Sequence, residues 1–158
     1  FTPRLLEALR TSGVRSAHCS LHVGPGTFRP LGSEALATGR LHTEFFELPS
    51  ETASEIAATR RRGGRVIAVG TTTTRVLEAC AAEGRQVEPR KGATDLFLRP
   101  GDPLRIVDGL LTNFHLPRSS LLLLVAAFAG RRAVLDAYAE AIREGYRFYS
   151  YGDAMLIL

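Results

Sequence analysis

The sequence of 158 residues has no tryptophan, one methionine and only two cysteines. Cys19 and Cys80 are far apart in the chain, and they form neither a CxxC pair nor the dense framework of a small secreted domain. This cysteine usage favours a reducing cytoplasm. The composition is otherwise 45% hydrophobic and 23% charged, which excludes a disordered chain and indicates about one globular domain.

The sequence also has no long hydrophobic run. The longest apolar segment, 121–129, has nine residues, whereas a membrane-spanning helix needs about 20. This segment therefore predicts a buried helix, and we expect no membrane partner. No secretion signal opens the sequence, and a helix signal already begins at Thr2-Pro3. We expect residues 1–158 to be a single α/β domain from a longer polypeptide, with the amino-terminal portion missing.

Lysine is nearly absent, because the sequence has one lysine, Lys91, and 19 arginines. The formal net charge is +4. The planar arginine fork suits phosphates and carboxylates, which favours an acidic or nucleic-acid partner. A genome rich in G and C would produce the same excess of arginine without any function, and both explanations stay open. The triplet 60–62 falls in the last turn of a predicted helix, where cations offset the helix dipole.

Helices and strands alternate along the predicted chain. Apolar periodicity, caps and glycine stops predict helices over 3–12, 51–62 (capped by Ser50), 74–83, 120–129 (capped by Ser119) and 131–144. Strands are predicted over 14–23, 42–49, 65–70, 95–98 and 154–158, and Asp108-Gly109 predicts a hairpin. Residues 65–70 read as a strand buried on both faces. This order indicates an α/β fold, either a sheet with flanking helices or a barrel.

Three polar segments are candidates for a binding site, because ligands of α/β folds lie at the carboxyl ends of strands. HVGPGTF (22–28) offers close backbone approach and an imidazole. VGTTTTR (69–75) offers hydroxyl groups, free N–H groups and a cation at a helix start, which suits an anion. TNFHLPRSS (112–120) concentrates an amide, an imidazole, an arginine and two serines.

Each candidate also has a structural explanation. His18 and His22 lie on one predicted strand face, where hydrogen-bonded structural histidines are common, and the threonine run also suits a helix cap. Asp153 either caps a turn or orients a cation. Tyr146, Phe148, Tyr149 and Tyr151 either stack on a base or belong to the core. Walker A and GxGxxG patterns are absent, and the histidines lack metal-ligand spacing, so we expect no metal.

Six segments in this order resemble the carboxyl-terminal half of the S-adenosylmethionine:tRNA ribosyltransferase-isomerase family of queuosine biosynthesis. They are HVGPGTF, HTEFFELP, TRRRGGRVIAVGTTTTR, GATDLFLRPG, VDGLLTNFHLPRSSLLLLVAAFAG and YRFYSYGDAMLIL, which together cover nearly the whole chain.

The resemblance implies an imperfect αβ barrel, or a mixed sheet with flanking helices, as part of a larger domain that carries an inserted β-barrel. It also implies a reaction. The ribosyl part of S-adenosylmethionine is transferred to 7-aminomethyl-7-deazaguanine at the wobble position of tRNA and rearranged to give epoxyqueuosine, while adenine and methionine leave. The expected partners are therefore S-adenosylmethionine, as a substrate, and tRNA.

A sulfonium acidifies the neighbouring C5′ hydrogens, so this rearrangement needs a positioned base, for which histidine is suited. We expect His22 and His115 to act as base or acid, and His42 and Glu44 to orient the ribose or the incoming amine. The expected substrate-binding residues are Gly24, Gly26, Thr27, Thr71, Thr72, Arg75, Asn113, Arg118 and Asp153. The alternatives are a non-catalytic fragment or RNA-binding module with the family core, and an unrelated nucleotide-binding protein.

Overall fold

The computed structural model describes residues 1–24, 31–82, 85–150 and 152–158. Within these ranges, helices flank two three-stranded sheets, which confirms the mixed α/β class. The described strands do not close into a barrel. The helices are α1 (Pro3–Thr11), α2 (Ser33–Thr38), α3 (Ser50–Arg61), α4 (Thr71–Ala79), α5 (Ser120–Ala129) and α6 (Arg131–Arg143). The strands are β1 (Ser20–Leu21), β2 (Arg40–Leu48), β3 (Ile67–Val69), β4 (Arg90–Leu96), β5 (Gly109–Asn113) and β6 (Ala154–Ile157).

The two sheets differ in strand direction. The first has the order β1-β2-β4 and is antiparallel throughout. In the second, of order β3-β5-β6, β3 and β5 are parallel, with Val69 opposite Leu111, whereas β6 pairs antiparallel to β5. Parallel strands end at the same sheet edge, so α4 and the segment after β5 start side by side. Segments 69–75 and 112–120 meet at this edge, and Val23 of segment 22–28 lies beside them.

The core lies between the sheets and the longer helices. Val76 of α4, Leu110 of β5 and Val125 of α5 are completely buried. The predicted start of α5 is confirmed, because the Ser119 hydroxyl accepts a hydrogen bond from the backbone N–H of Leu122. The predicted docking of the apolar tail is also confirmed, since β6 pairs with β5.

The hairpin predicted at Asp108-Gly109 is wrong. The strands before and after this pair, β4 and β5, belong to different sheets. Asp108 instead accepts a hydrogen bond from the Val66 N–H at 2.7 Å and pairs with Arg60 and Arg85. These long-range partners hold the dipeptide at the start of β5, next to the start of β3.

The predicted burial of β3 is incomplete, and apolar side chains of α1 are exposed. In β3 only Ala68 is buried, while Ile67 and Val69 are 39% and 48% exposed, so the prediction of a strand buried on both faces is wrong. The apolar side chains of α1 are likewise uncovered, since Leu5 and Leu6 are each 44% exposed. Apolar periodicity indicates which face of a segment is suited to burial, but it does not say what covers that face. Here no described element covers these side chains.

Several element boundaries also differ from the prediction. Pro49, not Ser50, is the N-cap of α3, and β1 is reduced to two residues of the predicted strand 14–23. The connection before Arg40 contains α2, whose six residues are too few to show a clear period. Helix α4 begins at Thr71 and ends at Ala79, three residues earlier than predicted at its start and four residues earlier at its end.

Candidate functional site

A cavity of about 240 Å³ opens at the edge where β3 and β5 end. The start of α4 forms one wall, the segment after β5 forms a second, and the loop before β6 forms a third. Its lining includes Val23, Gly70, Thr71, Thr72, Thr112, Asn113, Phe114, His115, Leu116, Ser119, Leu121, Tyr149 and Ser150. Four predicted site residues, Thr71, Thr72, Asn113 and His115, are therefore brought together from two distant segments.

The amino-terminal end of α4 lines this cavity through Gly70, Thr71 and Thr72. Gly70 precedes the helix with φ +92°, a conformation that favours glycine. The Thr73 and Thr74 hydroxyls bond back to the carbonyls of Val69 and Gly70, and no described side chain caps the helix. The first-turn N–H groups and the positive end of the helix dipole therefore favour an anionic group here.

His115 lies on the opposite wall and is held at two atoms. Its ring Nε2 is 3.0 Å from the Thr112 hydroxyl, and its backbone N–H donates to the Tyr138 hydroxyl at 2.8 Å. Burial lowers the pKa of His115 to about 4, because no carboxylate offsets the cost of desolvating the imidazolium. At neutral pH this imidazole is uncharged, with one nitrogen able to donate and the other able to accept.

Asn113 and Asp153 are joined at the cavity edge. The Asn113 amide donates to the backbone carbonyl of Asp153 at 3.3 Å. The Asp153 carboxylate accepts from the Arg147 backbone N–H at 2.8 Å, and hydrogen bonding from the Arg147 guanidinium and N–H lowers the pKa of Asp153. Of the two roles left open for Asp153, the structure shows both at once, since its side chain closes a turn and pairs with a cation.

Three other predicted site residues form a cluster that does not line this cavity. Arg75 of α4 pairs with Glu44 of β2, and each side chain is only 3% exposed. The second Glu44 oxygen accepts from the Gly24 N–H at 2.9 Å. Arg75 also donates to the Leu96 carbonyl at 3.3 Å. The cationic and anionic groups thus pair with each other inside the protein, and the Glu44 carboxylate fixes the backbone at Gly24.

The remaining predicted residues lie apart. His22 is exposed beside Val23, and its N–H donates to the Phe45 carbonyl. His42 lines a separate cavity of about 540 Å³ that also contains the Arg40–Asp95 ion pair. Arg118 is exposed, with φ +58°, and its carbonyl accepts from Leu31. Gly26 and Thr27 lie outside the described residues.

The sequence analysis missed Thr112, Tyr138 and Gly70 as parts of this site. Thr112 stands three residues before His115, so its proximity was available from the sequence. Tyr138 is buried on α6, and no local sequence signal links it to His115. Burial raises the pKa of the Tyr138 hydroxyl, while its hydrogen bond from His115 lowers it.

Neither a membrane span nor a metal cluster is found in the part of the chain that the structure describes. No helix there combines the length and the apolarity needed to cross a bilayer. No three histidine, cysteine, aspartate or glutamate side chains there come close enough to hold one metal ion.

Fold and cavity together define an α/β protein with a cavity at the carboxyl ends of parallel strands. Residues 1–157 match the sequence family described as queuosine biosynthesis protein, and the chain belongs to this family, as the sequence motifs indicated. It is 53% identical over 158 residues to the S-adenosylmethionine:tRNA ribosyltransferase-isomerase of Pelotomaculum thermopropionicum, covering 46% of that protein. It is 54% identical over 158 residues to the protein of the same name from Anaeromyxobacter dehalogenans, again covering 46% of it. The chain thus spans about half the length of these relatives.

A solved structure shares the fold. The crystal structure of S-adenosylmethionine tRNA ribosyltransferase from Thermotoga maritima aligns with a TM-score of 0.80 and 46% sequence identity. The alignment covers the whole of this chain and 50% of that one.

Proposed function

We propose that residues 1–158 form a single α/β domain of an enzyme that transfers and isomerises the ribosyl moiety of S-adenosylmethionine. The acceptor is 7-aminomethyl-7-deazaguanine at the wobble position of tRNA, and the products are epoxyqueuosine, adenine and methionine. The names of the similar proteins support the substrates. The observation that carries the proposal for this chain is the cavity in which the start of α4 faces Asn113 and His115.

The two walls of the cavity suit different parts of S-adenosylmethionine. The uncapped start of α4, with Thr71 and Thr72, suits the methionine carboxylate, because free N–H groups and the helix dipole stabilise an anion. Asn113 and His115 carry neutral hydrogen-bonding groups, which suit ribose hydroxyls or a base edge. A neutral imidazole also tolerates the positive sulfonium nearby, whereas an imidazolium would repel it.

The lowered pKa of His115 indicates different roles for His115 and His22. A general base works best when its pKa lies near the operating pH, and a pKa of about 4 makes His115 a weak base in the free protein. His115 is therefore the hydrogen-bonding group that orients the ribosyl part. His22, exposed next to the cavity residue Val23, is the candidate for removing the C5′ proton. Glu44 and Arg75 fix the backbone at Gly24, two residues beyond His22.

The test is adenine release by the full-length protein from labelled S-adenosylmethionine in the presence of precursor tRNA. His115→Gln and Thr72→Val should each lower turnover, and His22→Gln should lower it by about 100-fold or more, because it removes the proposed base. His18→Gln is the control, because His18 is exposed and lies outside the cavity. Unchanged turnover in His115→Gln would remove that residue from the site, and absence of adenine release by wild type would contradict the function.

A second measurement addresses tRNA. Phosphate contacts from arginines release counterions, so tRNA affinity should fall steeply as salt rises. Affinity that is independent of salt would exclude an interface built on the arginine-rich surface.

A further inference from the structure

Tyr149 differs from the aromatic residues around it. Phe148, one residue earlier, packs into the interior with its ring centroid 5.1 Å from that of Phe114. Phe114 also makes edge contacts with Tyr138 and Tyr146. Tyr149 instead lines the cavity with 55% of its surface exposed. Its ring thus offers an apolar face to the cavity and not to the core.

The backbone around Tyr149 is fixed on several sides. The Tyr149 N–H donates to the Phe114 carbonyl at 3.1 Å, and its carbonyl accepts from Gly152 at 3.0 Å. The Asp153 N–H donates to the Arg147 carbonyl at 2.8 Å. A Cβ on Gly152 would lie 2.3 Å from that same carbonyl oxygen, so the turn closes only with glycine there. These hydrogen bonds therefore hold the backbone of Tyr149 in one position.

This position is unfavourable for a tyrosine. Tyr149 has φ +69°, in the left-handed region that bulky side chains rarely adopt, and its ring gains no contact with the neighbouring aromatic cluster. A strained conformation persists when its surroundings enforce it, and such residues concentrate at ligand sites. Asparagine or glycine would occupy the same backbone with less strain, so packing and backbone preference do not account for a tyrosine here.

We propose that the Tyr149 ring is the stacking surface for a purine-type base in this cavity. This inference rests on the proposed function. At about 240 Å³ the cavity is smaller than the roughly 300–1,000 Å³ typical of ligand pockets, so it encloses a nucleoside substrate incompletely and leaves part of it on the exposed side, where Tyr149 lies. A phenol ring binds planar heteroaromatic rings through their faces. Asn113 and His115 on the same cavity then supply hydrogen bonds to the base edge or its ribose.

Two bases of the proposed reaction share this chemistry, the adenine of S-adenosylmethionine and the deazaguanine of tRNA. The experiment separates them with two arms on the full-length protein. One arm measures the affinity for S-adenosylmethionine without tRNA by calorimetry. The other measures the KM for precursor tRNA in the adenine-release assay.

The decisive variant is Tyr149→Asn, because asparagine adopts the left-handed conformation readily and removes only the ring. We expect a loss of about 5- to 100-fold in one arm, the size that follows removal of one base–aromatic stack. A loss in the first arm assigns the ring to adenine, and a loss confined to the second assigns it to the tRNA base. Tyr149→Phe should retain the wild-type values, since the stacking face remains.

Tyr146→Asn is the matched control, since Tyr146 is 48% exposed but does not line the cavity. It should leave both arms unchanged. The thermal midpoint of Tyr149→Asn should equal or exceed that of wild type, because strain is relieved. A midpoint below wild type, or Tyr149→Asn with wild-type values in both arms, would overturn the inference while leaving the proposed function intact. Wild-type protein that neither binds S-adenosylmethionine nor releases adenine would overturn both.

Discussion

Arg75 and Glu44 form an ion pair that joins α4 to β2 in the interior, with each side chain 3% exposed. The carboxylate also accepts from Gly24, so this pair ties the first sheet, the helix at the cavity and the end of β1 to one another. In the sequence both residues are candidates for substrate binding. The residue type alone does not distinguish a charge that is paired in the interior from one that binds a substrate.

Removing one partner of this pair should be strongly destabilising. Glu44→Leu leaves the Arg75 guanidinium buried without its counter-charge, and we expect a loss of about 3–5 kcal/mol in the free energy of unfolding. The double variant Glu44→Leu/Arg75→Leu should lose less than the sum of the single variants, measured by urea denaturation. Glu47→Leu, which breaks the exposed pair between Glu47 of β2 and Lys91 of β4, is the control and should cost about 1 kcal/mol or less. Additive single and double effects would show that the two side chains do not interact.

Glu78 should stabilise the segment before β5. Its two carboxylate oxygens accept from the backbone N–H groups of Arg105, Ile106 and Val107 at 2.8, 3.0 and 2.9 Å. Glu78→Gln replaces one accepting oxygen with an NH₂ group that faces donors, so we expect a loss of about 2–3 kcal/mol, read from the urea midpoint. Glu140→Gln, at an exposed helical pair with Arg143, is the control. Equal small effects of both variants would contradict the role of Glu78.

Gly109 should be required for the close approach of β6 and β3 to β5. A Cβ at this position would lie 2.8 Å from both the Ile157 carbonyl oxygen and the Ile67 Cδ1. Because the backbone oxygen cannot move aside without disturbing β6, Gly109→Ala should cost about 1–3 kcal/mol. Hydrogen exchange of the β6 amides would locate the effect. Gly32→Ala, with no atom near its added Cβ, should cost within about 1 kcal/mol, and a larger loss there than at Gly109 would refute the packing argument.

His115 should make the protein less stable in acid. Its pKa is lowered by burial from 6.5 to about 4, so the folded state excludes a proton that the unfolded state binds. The resulting stability is complete above pH 6.5 and is lost as the pH falls from 6.5 toward 4. His115→Gln should reduce this loss across the same interval, measured by urea denaturation as a function of pH. An imidazole resonance of His115 that titrates near pH 6.5 in NMR spectra would disprove the burial effect.

Much of the fold was predictable from local signals. The cap at Ser119, the apolar run of α5 and the extended segment of β2 are all encoded by neighbouring residues, and each was confirmed. The Asp108-Gly109 hairpin failed because the partners of Asp108, namely Arg60, Val66 and Arg85, come from distant parts of the chain. A dipeptide preference for a turn is weaker than two ion pairs and a charged hydrogen bond.

The site divides in the same way. The sequence alone determined the family, the segment order and the polar residues at the strand ends, since these depend on residue identity and local periodicity. Only the tertiary structure decided which polar residues share a cavity. Thr72 and His115 line the same cavity, whereas His42 lines a different one. Arg75 and Glu44 form an ion pair in the interior. The physical reason is that burial, charge pairing and pKa are set by atoms that are close in space, whereas a sequence orders residues only along the chain.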